Sequence, residues 1–317
     1  MSFETVGSPL LWAGFVLFVV VMLAFDLGVF HRNSHEVGFK EAAVWSLVWV
    51  AFAAAFGVGV YALFGTERAM EFATGYVVEK ALSVDNIFVF IVIFTTFGIP
   101  AIYQHRVLFW GVLGALLMRA LFIVIGGAFL QRFHWAIYVF GGILAITGIK
   151  LLLQRDETPN PEKNPVVRLF RRLIPVTPSL RGERFVVVEN GKRLATPLLL
   201  ALVAVEVSDV IFAVDSIPAV FAITKDPFIV FTSNIFAILG LRSLYFVLAS
   251  VVTKFVYLKV GLSAVLVFVG AKMLMLGVYK IPIGVSLGVI LGILTTAVVA
   301  SLLRAPKPAV APVRISE

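Results

Sequence analysis

Runs of about twenty apolar residues recur nine times along the chain, at 10–30, 42–64, 72–97, 107–130, 135–153, 196–221, 228–251, 260–277 and 282–303. A helix of about 20 apolar residues spans the hydrocarbon of a bilayer, so each run predicts a crossing. No ten-residue stretch alternates polar with apolar positions as a membrane β-barrel strand does. The expected fold class is an all-α polytopic membrane protein with about nine transmembrane helices.

Polar residues interrupt this pattern most densely in the sixth run, TPLLLALVAVEVSDVIFAVDSIPAVF, which carries Glu206, Asp209 and Asp215. A carboxylate near the bilayer centre costs roughly 2.5–3.5 kcal/mol on insertion scales, so three in one span need compensation and cannot face lipid. Ser208 and Ser216 lie among them, and Pro218 has no N–H to give the carbonyl of Val214. Carboxylates, hydroxyls and a freed carbonyl are hard oxygen ligands, the set that suits Mg²⁺, Ca²⁺ or Mn²⁺.

Composition narrows the picture further. Hydrophobic residues make up 61% of the 317 and charged ones 14%, well under the roughly 25% of soluble domains. The chain has no cysteine, which excludes disulfides, thiolate metal sites and thiol redox chemistry. The net charge of +8 suggests nucleic acid until its placement is considered. With the N-terminus outside, lysines and arginines favour the cytoplasmic segments over the outer ones by eight to four, even with the long loop set aside. The expected topology is N-terminus out and C-terminus cytoplasmic. MSFETVGSP lacks the basic start of a cleavable signal, so the first span is expected to be retained.

Residues 154–195 form the one sizeable soluble segment. Its prolines argue against a continuous helix, and RFVVVENGKRLAT reads as a hairpin about an Asn-Gly turn. Its basic residues suit anionic headgroups, and the tail APKPAVAPVRISE reads as disordered.

The chain also repeats. TGIKLLL around Lys150 resembles VGAKMLM around Lys272, and LLMRALF around Arg119 resembles LGLRSLY around Arg242. DNIF at Asp85 resembles DVIF at Asp209, whereas SVDNI resembles AVDSI at Asp215, so two registers are open for the acidic helices. Three spans per unit make the second copy run inverted, an arrangement that sets a site at the midplane and supports alternating access. The organisation expected is a two-helix segment (1–71), a first three-helix repeat (72–153), the basic loop (154–195), a second inverted repeat (196–277), and a ninth helix with its tail (278–317).

Candidate ligands follow from helical spacing. Glu79, Ser83 and Asn86 share a stripe, as do Glu206, Asp209 and Ser216. Asp85, Asn86, Asp209, Asp215 and Ser216 are expected to converge where the two helices cross, with Glu79 and Glu206 as further candidates. Ion pairing alone competes as an explanation for Glu79, beside Lys80, and for Glu206. Arg119, Arg242, Lys150 and Lys272 are candidate counter-ions or tethered surrogate cations. Asp26 is a candidate gate, Asn234 a candidate ligand or interhelical hydrogen bond, and His31 with His35 a weaker metal pair.

At these residues the chain resembles the TerC family of bacterial membrane proteins, closest to its Alx-type members. The resemblance rests on EKALSVDNIFVF (79–90), VEVSDVIFAVDSIPAVF (205–221), TKDPFIVFTSNIFAILGLRSLYF (224–246) and IPIGVSLG (281–288). It implies an inner-membrane protein of a family named for tellurium resistance, with manganese efflux the activity implied for Alx-like members. An oxygen-ligand site fits Mn²⁺ and does not fit an oxyanion such as tellurite. The expected function is therefore Mn²⁺ export, without enzymatic activity or resident cofactor. Proton exchange would follow if the emptied carboxylates take up protons. The rival expectation is a partner protein of a secretion or metal-loading complex acting through the 154–195 loop. An intramembrane aspartyl protease would also pair two aspartates, but the chain has no Gly-x-Gly-Asp.

Overall fold

The computed structural model describes residues 5–30, 37–133, 135–153, 165–189, 191–251, 257–279 and 281–304. Its elements are α1 (Pro9–Phe30), α2 (Phe39–Thr96), α3 (Ala101–Arg132), α4 (Ala136–Leu153), α5 (Pro165–Leu173), β1 (Val186–Glu189), β2 (Lys192–Ala195), α6 (Pro197–Phe221), α7 (Pro227–Leu239), α8 (Leu241–Val251), α9 (Leu258–Leu274) and α10 (Ile283–Leu303). His31, His35 and the tail lie outside the described residues. So do the side chains of Asp26, Asp85 and Asp215, whose backbones belong to α1, α2 and α6.

Helix occupies all nine apolar runs. Five helices are long and apolar enough to cross a membrane, or six with α7 and α8 taken as one span bent by 45°. The difference from nine has physical causes. α2 runs for 58 residues through two of the expected spans, and α9 has only 17. Straight, α2 would be roughly 87 Å long against a hydrocarbon core of about 30 Å. It breaks at Gly65, whose φ of 84° and ψ of −179° belong to a region that only glycine enters cheaply.

Aromatic packing joins the first elements to the second half. Trp12 of α1 meets the Phe228 ring edge-on at 5.2 Å, and Phe56 of α2 lies 5.0 Å from Phe236 of α7. The outward faces are apolar, with Leu47, Leu117, Val124 and Ile146 exposed. Apolar surface of that extent suits lipid rather than water.

α4 and α9 approach closely enough for backbone to meet backbone. A Cβ on Gly141 would lie 3.1 Å from the Gly270 carbonyl oxygen, and one on Gly270 would lie 2.6 Å from the Ala145 nitrogen. A Cβ on Gly148 would lie 2.8 Å from the Ser263 oxygen and 2.9 Å from the Val267 nitrogen. The step from Lys150 to Lys272 carries Gly141 onto Ser263, Ala145 onto Val267 and Gly148 onto Gly270. It therefore exchanges the Gly141–Gly270 contact with Ser263–Gly148, and Ala145–Gly270 with Val267–Gly148. Contacts exchanged in pairs are the property of a two-fold interface, and small residues are what let membrane helices approach so closely.

The soluble segment folds onto the helix ends. β1 and β2 pair antiparallel with Glu189 opposite Lys192, as the Asn-Gly signal indicates, and Gly191 takes the positive φ of 74°. Arg106 of α3 pairs with Glu183 at 3.0 Å and stacks over Phe185, while Arg171 of α5 lies over Phe97 at the end of α2. Thr196 donates to the Arg184 carbonyl at 2.7 Å, so β2 leads without slack into α6.

Gly270→Val forces side-chain volume into the α4–α9 backbone contact. It is expected to cost about 1–3 kcal/mol or more, read as a lower thermal unfolding midpoint in detergent, whereas Gly292→Val, where a Cβ meets nothing within 4 Å, leaves the midpoint within a degree or two.

Candidate cation site

α2, α3, α6 and α7 bring their polar residues together around Arg119. Its side chain is 3% exposed, and its Nη1 donates both to Glu79 Oε2 of α2 and to Asn234 Oδ1 of α7. Glu79 therefore draws its cation from α3 and not from the neighbouring Lys80, whose Nζ turns to the Ala237 carbonyl oxygen at 3.2 Å. The reason is helical geometry: adjacent residues on a helix point about 100° apart and do not face each other.

Asp209 of α6 is buried, within electrostatic reach of Arg119 and Glu79, and its Oδ2 has no hydrogen-bond partner. Glu79 Oε1, Ser83 Oγ, Ser216 Oγ and Asn234 Nδ2 are likewise buried and unpartnered. Buried polar atoms are nearly always bonded, so these, together with the unpartnered Arg119 Nε, stand out. Glu206, one turn before Asp209, is half-buried with its carboxylate against Gly114 of α3, where a Cβ would overlap it. Gly114 is thus part of the site, and sequence reading passed over it. Ser208 spends its hydroxyl on the Ala204 carbonyl at 2.8 Å, within its own helix.

A cavity of about 210 Å³ adjoins the cluster, lined by Asn86, Arg119, Thr147, Lys150 and Ser216 among apolar residues of α6 and α9. Asn86 of α2 and Ser216 of α6 thus face one space, each directly following an aspartate in sequence, Asp85 and Asp215. Of the four expected counter-ions, Arg119 and Lys150 reach this cavity. Arg242 lies instead with His105, Ser243 and Trp45 near the start of α2, and Lys272 is buried at 7% exposure beneath α4. Among the described residues no three His, Asp or Glu groups are set to hold a metal ion.

A second polar network was not foreseen. Glu71 accepts from Arg68 and from Thr224, both at 2.7 Å, while Asp226 caps α7 through Phe228 N at 2.9 Å and also accepts from Thr5 and Val6 N. The Asp226-Pro227 pair is a helix-start signature and could have located this cap. Gln104 and Tyr245, bonded at 2.8 Å, carry no comparable signal.

The helices, the buried acids and their motifs can be set against known proteins. Residues 64–308 match the family model described as Integral membrane protein TerC family. The chain belongs to that family. A relative from Myxococcus xanthus, "Uncharacterized membrane protein STKORF319", is 63% identical over 303 residues, 96% of this chain and 95% of its own. "Putative membrane-bound redox modulator Alx" of Escherichia coli (strain K12) is 49% identical over 300 residues, covering 92% and 94% of the two chains. An "Uncharacterized membrane protein" of Rickettsia felis is 42% identical over 293 residues, 92% and 97%. No solved structure matches. Within the matched residues, EKALSVDNIF carries Glu79, which meets Arg119, and VEVSDVIFAVDSIP carries Asp209 and Ser216 of α6.

Arg119→Met strands Glu79 as a buried charge, so it is expected to cost about 3–5 kcal/mol of stability. Adding Glu79→Leu should recover most of that loss, which a double-mutant cycle of unfolding midpoints in detergent would show as strong coupling.

Proposed function

We propose that this TerC-family protein exports divalent cations from the cytoplasm, Mn²⁺ foremost, through a midplane site at the crossing of α2 and α6. The observation that carries the reading is the cavity that Asn86 and Ser216 share inside a membrane bundle. Asp85 and Asp215 immediately precede these residues, and Asp209 with its unpartnered oxygen lies in the adjoining cluster. In that cluster one guanidinium answers two carboxylates, Glu79 and Asp209. An excess of buried negative charge is costly unless a cation can join it. Oxygen donors without sulfur favour Mn²⁺, Mg²⁺ or Ca²⁺ over softer ions. The cation here is cargo, and no resident cofactor or catalytic step is proposed.

Alternating access draws its support from the paired α4–α9 contacts, which are those expected of inverted repeats at 72–153 and 196–277 related by a two-fold axis. The common cavity of Asn86 and Ser216 favours the register that equates Asp85 with Asp215. Repeat mates also differ in exposure: Lys150 is exposed and Leu151 half-buried, while Lys272 is 7% and Met273 0% exposed. Mates in unlike surroundings are what a transporter open on one side requires. With the N-terminus outside, as the lysine and arginine bias favours, nine spans place the open side at the cytoplasm of the inner membrane.

The word redox in the Alx relatives' name finds no thiol here, since the chain lacks cysteine; the reading taken from them is that of a membrane protein. A partner-protein reading draws on the folded loop, whose Leu169, Val186 and Val188 are exposed.

In cells lacking their own manganese exporters, the wild-type protein should lower accumulated manganese severalfold, and Asp209→Asn, inserted at equal level, should abolish the effect. Wild type indistinguishable from empty vector would transfer the assignment to the partner reading, and an active Asp209→Asn would remove Asp209 from the site.

A further inference from the structure

The seventh apolar run is not one helix. α7 ends at Leu239, α8 starts at Leu241, and the axis bends by 45° at Gly240. A helix that stops inside a membrane leaves its last-turn carbonyls without intrahelical donors and presents the negative end of its dipole. Both effects call for a positive charge at that point.

Lys80 of α2 supplies it. Its Nζ lies 3.2 Å from the carbonyl oxygen of Ala237, in the last turn of α7. Glu79, beside it in sequence, is committed to Arg119, and Lys80 has no carboxylate partner among the described residues. The ammonium is therefore aimed at helix backbone rather than at an acid. Gly240 is shaped to the same end: a Cβ there would lie 2.8 Å from Nζ and 3.1 Å from Trp49 Cβ. The residue at the break is the one that leaves room for the charge. The repeat mate of this span, α3, runs unbroken from Ala101 to Arg132, and by the Asp85–Asp215 register the mate of Lys80 is Val210. The break in the second repeat meets the lysine of the first, whereas the mated pair sets an unbroken α3 against Val210, with neither break nor lysine.

We propose that the α7–α8 break is a monovalent-cation site filled by the chain's own ammonium, Lys80. Half-helix carbonyl ends of this kind coordinate Na⁺ in transporters with interrupted helices. A tethered ammonium carries the same charge, donates to the same oxygens and cannot dissociate. The bend between α7 and α8 is therefore held without a bound alkali ion. The inference concerns a different site from the proposed Mn²⁺ site and stands or falls independently of it.

The test is thermal unfolding of the full chain purified in detergent, as wild type and Lys80→Ala, in sodium, methylammonium or choline chloride at equal ionic strength. The wild type should be indifferent to the cation. Lys80→Ala should unfold roughly 2–4 °C lower or more in choline and recover most of that loss in sodium or methylammonium, which are small enough to enter the vacancy. A variant as stable as wild type in choline, or a loss that neither small cation relieves, overturns the proposal. Should the alanine variant fail to fold, Lys80→Gln keeps a donor of similar reach without the charge. It should show the same cation dependence, and wild-type stability of Lys80→Gln in choline would show that a neutral hydrogen bond suffices and overturn the charge role.

Discussion

A charge inside hydrocarbon must be answered by another charge, and in this protein Arg119 gives that answer for three helices at once. Its guanidinium reaches Glu79 on α2 and Asn234 on α7 from its place on α3. Removing it would leave a buried carboxylate whose desolvation nothing offsets. Asp209 on α6 stands close by with an oxygen unspent, so the cluster is balanced only in part. A fully neutral cluster would be a structural clamp. A cluster that leaves a carboxylate oxygen unspent, beside a cavity, suits a cation carrier and adds to the reading that the shared cavity of Asn86 and Ser216 carries.

The helices that carry this cluster are set by contacts of a different kind. α4 and α9 touch through glycines that meet backbone, together with the Met273 and Val267 side chains. Such a contact can rock or slide as a unit but cannot compress. The polar network around Glu71, Thr224 and Asp226 pins one end of the bundle, and the folded loop, joined to α3 through Arg106 and Glu183, caps another part.

Much of this was legible beforehand because its signals are periodic or local. Apolar length located helix at every expected run, the Asn-Gly pair located the hairpin, and helical spacing put Glu79, Ser83 and Asn86 on one stripe of α2. Spacing cannot say which of several charges in a membrane will meet. Glu79 beside Lys80 looked like a pair, but helical rotation sends one to α3 and the other to the end of α7. Arg242 and Lys272 look equivalent to Arg119 and Lys150 in sequence, yet they sit in unlike surroundings. Gly114 against Glu206, and Gly240 against Lys80, are contacts of one helix with the gap in another. A glycine alone does not say whether its missing side chain serves a bend, a close approach or nothing.

The proposal depends on Mn²⁺ binding within the membrane to the oxygens at the α2–α6 crossing, which electron paramagnetic resonance of Mn²⁺ titrated into purified protein measures directly. The proposed site predicts one saturable Mn²⁺ per chain, its free-ion signal quenched on binding, and loss of that binding when Asp85 and Asp215 are both changed to Asn in a protein that still folds. Saturable binding that survives the double change, or no binding by the wild type at millimolar Mn²⁺, would contradict it.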